Sequence, residues 1–142
     1  TMAFILFSAF GPDFSASDFV SKHGLKTDST WSKGQPLRSR NLHKDAGFSL
    51  NFDEVQTTNE VVPLIETFLK ESQGWLADLR EQPVVRLLHL GVTVGEESSF
   101  APCLEFCVSF LQLLVDERIE LHVSAYPTND TDEQIDTSRQ QP

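Results

Sequence analysis

The segment that most constrains the fold is Val84–Val94, VVRLLHLGVTV, in the second half of the chain. Side chains of a strand alternate between two faces, so Leu87 and His89 share one face while Leu88 and Leu90 share the other. Both faces are largely apolar, which predicts a central strand that is covered at least partly on each side. The rest of the chain must therefore supply a sheet around this segment and helices to cover it.

The other periodic segments predict strands and helices in alternation. Alternating or short apolar runs predict further strands at 3–10, 26–32, 47–53 and 119–125. Apolar residues at helical spacing predict helices at 15–24, 57–74 and 99–115, with a short turn or helix at 75–79. The order β-α-β-β-α-β-α-β favours an α+β fold, with a single mixed or antiparallel sheet and helices packed mainly on one face, in the ferredoxin-like style.

The last predicted helix carries both cysteines and a long apolar run. For its core stripe we expect Leu104, Cys107, Val108, Leu111, Leu114 and Val115. Cys103 and Cys107, four residues apart among apolar neighbours, are then predicted to be small buried hydrophobic residues. No CxxC motif or histidine pair supplies the further ligands that a metal would need, so we predict no metal site.

Length and composition predict one domain and a tail. The chain has 142 residues, close to the commonest domain size. Residues 1–126 are predicted to form a single α+β domain, and residues 127–142 a disordered acidic tail, because that stretch has too few apolar side chains to offset its ordering entropy. The opening run TMAFILFSAF lacks a positively charged start and is too short to span a bilayer. We therefore expect a cytoplasmic protein without a membrane partner.

The formal net charge of −10 is unevenly distributed. Residues 22–44 hold six basic side chains against one carboxylate, whereas residues 45–126 hold fourteen carboxylates against four basic side chains. Such an acidic body repels nucleic acid and attracts a basic protein. The charge predicts a binding or inhibitory module, of which an immunity-type protein that masks a basic toxin is one form. Acidity that serves solubility alone is the plainer alternative.

Carboxylates on exposed helix faces and loops are the predicted contact surface for a basic partner. They are Glu60, Glu66, Glu71 and Asp78 around the second helix, and Glu96 and Glu97 in a later loop. A third interpretation is a scaffold-like domain whose interface is a sheet edge. Neither interpretation needs a cofactor.

The basic Trp31–Lys44 loop supports an alternative function. Trp31 is interleaved with Lys33, Arg38 and Arg40, a combination that can stack on a base and clamp its phosphates. This alternative predicts a small anionic-ligand or nucleotide-binding domain with a concave pocket lined by those four residues.

Catalytic patterns are sparse in this sequence. It has no GxSxG elbow and no phosphate-binding glycine motif, and its adjacent carboxylates lie in polar loops. If their strands are neighbours, His89 and His122 share a sheet face, and this pair is the one constellation that could serve metal or acid–base chemistry. We predict no catalytic residue, and binding is favoured over enzymatic activity.

The stretch FSAFGPDFSASDFVSKHGLKTDSTWSKGQPL resembles the opening of the bacterial DUF4279 family, a domain of unknown function. The matching residues are Gly24, Leu25, Trp31, Lys33 and Gly34. The resemblance covers about residues 3–127 and departs at residues 47–50, GFSL, where the family has an aromatic W-x-L/I pattern. It implies a small bacterial α+β domain, with a setting beside toxin–immunity or defence loci, and carries over no agreed catalytic residues.

Overall fold

A computed structural model describes residues 3–37, 41–52, 55–94 and 103–127. The strands are β1 (Ala3–Gly11), β2 (Ser29–Trp31), β3 (Ala46–Asn51), β4 (Val85–Thr93) and β5 (Ile119–Tyr126). The helices are α1 (Ala16–His23), α2 (Val61–Glu71), α3 (Gln73–Leu79) and α4 (Val108–Asp116), with a 3-10 turn, Thr58–Glu60, before α2. This order confirms the predicted alternation. The predicted tail, apart from Pro127, lies outside the described residues.

The described strands form one mixed sheet in the order β2-β3-β1-β4-β5. β1 lies at its centre, antiparallel to β3 and to β4, and Phe7 pairs with Leu50 on one side and with Leu88 on the other. The first four strands, with α1 and α2–α3 between them, follow the β-α-β-β-α-β order of the ferredoxin-like motif. α4 then returns the chain to place β5 parallel to β4, so β5 is an edge strand.

The described helices cover one face of this sheet. Along β1, Ile5, Phe7 and Ala9 are fully buried and belong to one core with helical residues such as Ile65 of α2 and Leu76 of α3. The intervening β1 side chains are only half-buried on the opposite face. Alternation of the strand therefore separates a helix-covered face from an open face, and the prediction of helices mainly on one face is confirmed.

The prediction for the last helix is wrong over residues 103–107, which are not helical, and in most of its core stripe, although Leu114 is buried as predicted. α4 begins at Val108, with Cys107 as its N-cap, and the predicted start near residue 99 lies outside the described residues. The buried side chains are Phe110 and Leu114, whereas Val108 is 81% exposed and Val115 is 66% exposed. Both cysteines are exposed free thiols in the segment before the helix, so they are not the buried residues that the spacing indicated.

The physical reason is that α4 has two apolar sides, and the side that carries Phe110 packs against the sheet. The ring of Phe110 is 1% exposed and stacks on Phe106 at a centroid distance of 5.6 Å. A phenylalanine removes more apolar area from water than a valine does, so burial of the Phe110 side is favoured. The other side, which includes Val108, Leu111 and Val115, remains in contact with water.

Paired truncations on the two sides of α4 test this orientation. We expect Phe110→Ala to lower the free energy of unfolding by about 3–5 kcal/mol, because it leaves a cavity in the core. Val108→Ala removes only exposed atoms and should change it by less than about 0.5 kcal/mol. Urea denaturation followed by circular dichroism measures both values. A larger loss of unfolding free energy for Val108→Ala than for Phe110→Ala would support the predicted core stripe and contradict the structure.

Candidate protein-interaction site

Charged side chains hold the C-terminal end of α4 against α3 and β4. Arg80 Nη1, at the end of α3, donates to both carboxylate oxygens of Glu117 at 2.9 Å. Arg86 of β4 lies on the helix-covered face and donates to the carbonyl oxygens of Leu79, at 3.1 Å, and Arg118, at 3.2 Å. Burial, aided by the nearby charge of Arg118, lowers the pKa of Arg86. These contacts fix how α4 is rotated on the sheet.

This rotation exposes a group of aliphatic side chains, the edge patch, which consists of Val108, Leu111 and Val115 of α4 and Val123 of β5. Leu111 is 43% exposed and Val123 is 51% exposed. Val108, Leu111 and Val115 recur at helical spacing and share one side of α4. Glu117 reaches α3 from the opposite side. Val123 lies on the helix-covered face of the edge strand β5, the strand that α4 contacts. Contiguous exposed apolar residues mark interaction sites.

The backbone of β5 adds polar groups beside the edge patch. The Tyr126 carbonyl accepts from Val94 N–H at 2.8 Å, so its polar groups point towards β4. Because this direction alternates along a strand, N–H and C=O of Leu121, Val123 and Ala125 point away from β4. Within the described ranges no strand pairs with that outer edge. β5 also lacks the lysine or proline that commonly blocks an edge strand.

The exposed charge around the edge patch is mainly negative. Between residues 103 and 127 the exposed charged side chains are the carboxylates of Glu105, Asp116 and Glu120 and the guanidinium of Arg118. Glu117, in the same segment, is buried and paired with Arg80. The segment that carries the patch is therefore acidic on its exposed surface, which suits a basic protein partner.

The glutamates predicted as a contact surface on α2 do not share one face. The side chain of Glu60 accepts from the Gln56 N–H at 3.3 Å, and Glu71, three turns later, lies on the same flank. Glu66 lies on another flank, near Cys107. The hydrogen bond with the Ser109 hydroxyl lowers the pKa of the Cys107 thiol, and the negative charge of Glu66 opposes this in small part. Glu96 and Glu97 lie outside the described residues.

Asp78, the fourth predicted contact residue in this region, is engaged within the domain. Its Oδ2 atom accepts from Lys22 Nζ at 3.1 Å and lies 2.7 Å from His23 Nε2. These contacts join α3 to the end of α1, where Gly24 adopts the left-handed φ of 61° that closes the helix. The bond from His23, followed by that from Lys22, lowers the pKa of Asp78. Asp78 thus stabilises the domain rather than extending the α2 carboxylates.

The lowered pKa of Asp78 predicts a pH-dependent contribution to stability. A carboxyl whose folded-state pKa is depressed stabilises the fold above its unfolded pKa of about 4, and this contribution is lost as pH falls through the folded-state value. Asp78→Asn should therefore be less stable than the parent at pH 7, and the difference should shrink below about pH 4. Urea denaturation at several pH values measures it, with the exposed Glu71→Gln as control. A difference independent of pH would contradict this role.

The two histidines that could have formed a site do share a sheet face. His89 and His122 are register partners on β4 and β5, on the open face. His89 Nε2 lies 2.8 Å from Ser124 Oγ, whereas His122 is exposed and lies 3.8 Å from Glu120. Among the residues that the structure describes, no group of three His, Cys, Asp or Glu side chains is placed to hold a metal ion.

A hollow lies beside Trp31 in the basic loop. Trp31 is half-buried, its Nε1 donates to Asp45 Oδ1 at 3.1 Å, and its ring stacks on His43 at 5.7 Å. The adjacent hollow has a volume of about 680 Å³, and its described lining residues are Leu37, Asn41, Leu42, His43, Lys44 and Asp45. Lys33 is exposed and, like Trp31, is not among them. Arg38 and Arg40 lie outside the described residues.

Comparisons of the chain with protein-family models, curated proteins and solved structures find no match. The resemblance to the DUF4279 family stays a prediction. In the described part of the chain no helix has the length and apolar character needed to cross a membrane. The site must therefore be interpreted from its own geometry.

Sequence reasoning missed the edge patch although a signal was present. From Val108 to Val115, six of eight residues are apolar, which is more than one core-facing side of a helix requires. A helix that is apolar on two sides needs a second covering surface. Since the described strands form a single sheet, which covers one side of α4, apolar residues on the other side of this helix indicate an interaction site.

Proposed function

We propose that this domain is a cytoplasmic binding module that captures a basic protein partner, and that it acts as an inhibitor of the immunity type when it masks that partner. The observation that carries the proposal is the edge patch, whose four aliphatic side chains are exposed on α4 and on β5. No described strand pairs with the outer edge of β5, and the exposed charge of the segment 103–127 is mainly negative. A monomer that never bound another protein would leave this apolar surface in water at a cost.

The shape and charge of the surface favour a protein over other ligands. Small-molecule sites are concave, whereas the edge patch lies on the outer flank of a helix and on an edge strand. A net charge of −10 repels nucleic acid and attracts a basic protein over distances comparable with the screening length. Charge would accelerate the encounter, and burial of the apolar centre would hold the complex together.

Parallel affinity capture tests this proposal. The wild-type domain, the double variant Leu111→Asp with Val115→Asp, and the control Leu64→Asp are immobilised and exposed to lysate of the source organism. Leu64 is 36% exposed on α2 and is not part of the edge patch. We expect at least one basic protein to be retained by the wild type and the control and lost by the patch variant. The purified pair should dissociate faster as salt is raised, because the attraction is partly electrostatic.

Two results would contradict the proposal. One is retention of the same proteins by all three samples, which would show that the edge patch is not a contact surface. The other is a set of patch-dependent proteins that carry no excess of basic residues. Thermal melting of each sample beforehand establishes that the substitutions leave the domain folded.

The hollow in the basic loop supports a second candidate, an anionic-ligand or nucleotide-binding domain. His43 and Lys44 line this hollow of about 680 Å³ and offer donors to a phosphate. A ligand that binds only the folded state raises the melting midpoint, by an amount set by its concentration relative to Kd. We expect nucleotides at millimolar concentration to raise the midpoint of the wild type and not that of Lys44→Ala, with the exposed Lys26→Ala as control. No shift with any nucleotide or anionic metabolite would remove this candidate.

A further inference from the structure

On the outer edge of β5, the same residues offer two kinds of contact that no other described strand uses. Leu121, Val123 and Ala125 direct their backbone N–H and C=O groups away from β4, as the Tyr126–Val94 bond establishes. Their side chains lie on the helix-covered face, in register with Leu88, Leu90 and Val92 of β4. The same three residues thus offer main-chain hydrogen bonds outward and apolar side chains towards the flank of α4.

We infer that the basic partner contributes an extended segment that pairs with β5 as a sixth strand of the sheet. This inference rests on the proposed function and specifies its binding mode. Strand addition to a free edge supplies affinity through backbone hydrogen bonds and specificity through alternate side chains. On the helix-covered face the added strand places every second side chain against the edge patch, where Leu111 and Val123 are exposed, so those positions are apolar.

The open face of β5 determines the chemistry of the other positions. Glu120 lies on that face with its side chain 60% exposed, and its Oε2 atom lies 3.8 Å from Nε2 of His122. A lysine or arginine on the added strand would lie opposite or diagonal to Glu120, within reach of cross-strand pairing. The segment that fits this edge therefore alternates apolar residues with lysine or arginine.

Charge favours this occupant over a second copy of the chain. Two copies would each bring a net charge of −10, and pairing of β5 with itself would bring two copies of Glu120 to one interface. Like charges at an interface oppose association, whereas a basic strand is attracted by the same groups. The edge therefore discriminates against self-association while it remains open to a basic chain.

Peptide binding to the full chain tests strand addition directly. The probe is a fluorescein-labelled peptide of about eight residues in which valine and lysine alternate, matched to the length of β5 and read by fluorescence anisotropy. Val123→Pro removes an N–H that points outward and does not serve the β4 ladder, and proline is tolerated at such edge positions. We expect Val123→Pro to weaken binding about tenfold or more, whereas the control Val123→Thr, which keeps the N–H, should weaken it much less.

A second pair of measurements does not depend on a backbone variant. Substitution of proline for alternate residues of the probe should abolish binding to the unchanged protein, because a strand of that peptide cannot complete the ladder. Glu120→Lys should weaken the valine–lysine probe and improve binding of a valine–glutamate probe. Unchanged binding of the proline probe, or an unchanged preference between the two charges, would overturn strand addition.

Further results separate this inference from the proposed function. If Val123→Pro still captures the patch-dependent basic protein in the lysate experiment, the protein-binding function stands and strand addition is wrong. If light scattering shows that the chain alone is a dimer that Val123→Pro converts to monomers, the occupant of the edge is a second copy and the inference is also wrong. A monomer that binds the valine–lysine probe through Val123 supports it.

Discussion

The ion pair between Arg80 and Glu117 is the interaction on which the C-terminal half of the structure depends. Glu117 is 4% exposed, and a buried carboxylate is tolerated only when it is paired and hydrogen-bonded. Only one rotation of α4 brings this carboxylate to the end of α3. That rotation also buries Phe110 and turns Val108 and Val115 outward, so pairing of this charge and burial of the aromatic ring favour the same orientation of the helix.

Chain connectivity then places the outer edge of β5 and the exposed side of α4 at the same end of the sheet. α4 is the crossover between the parallel strands β4 and β5, so it must lie over the edge of the sheet that β5 forms. Arg118, with φ of 55°, closes the short turn between α4 and β5. A strand edge that no described strand covers and an exposed apolar helix flank are each prone to bind another chain. One extended partner could pair with the strand edge and cover the helix flank at once. The two features together therefore favour an interaction site more strongly than either feature alone.

The sequence predicted those parts of the fold that local patterns determine. Alternation in Val84–Val94 gave the two faces of β4 correctly, and Gly24 ends α1 as its lack of a side chain suggests. The orientation of α4 could not be predicted in this way, because helical spacing fits either apolar side. Contacts between residues far apart in the chain decided it, and the ion pairs that join Asp78 to α1 likewise link residues that no local pattern relates.

In the proposed complex the predicted carboxylates and the edge patch have different roles. Glu60, just before α2, and Glu71, at its end, do not belong to the edge patch, so in that complex they contribute to the long-range field. Charges outside an interface alter mainly the association rate, and their effect falls as salt rises. Desolvated apolar contacts and backbone hydrogen bonds alter mainly the dissociation rate. Charge reversal on α2 and substitution at the edge patch would therefore change separate rate constants, so the sequence-derived surface and the structure-derived one are complementary descriptions of a single binding process.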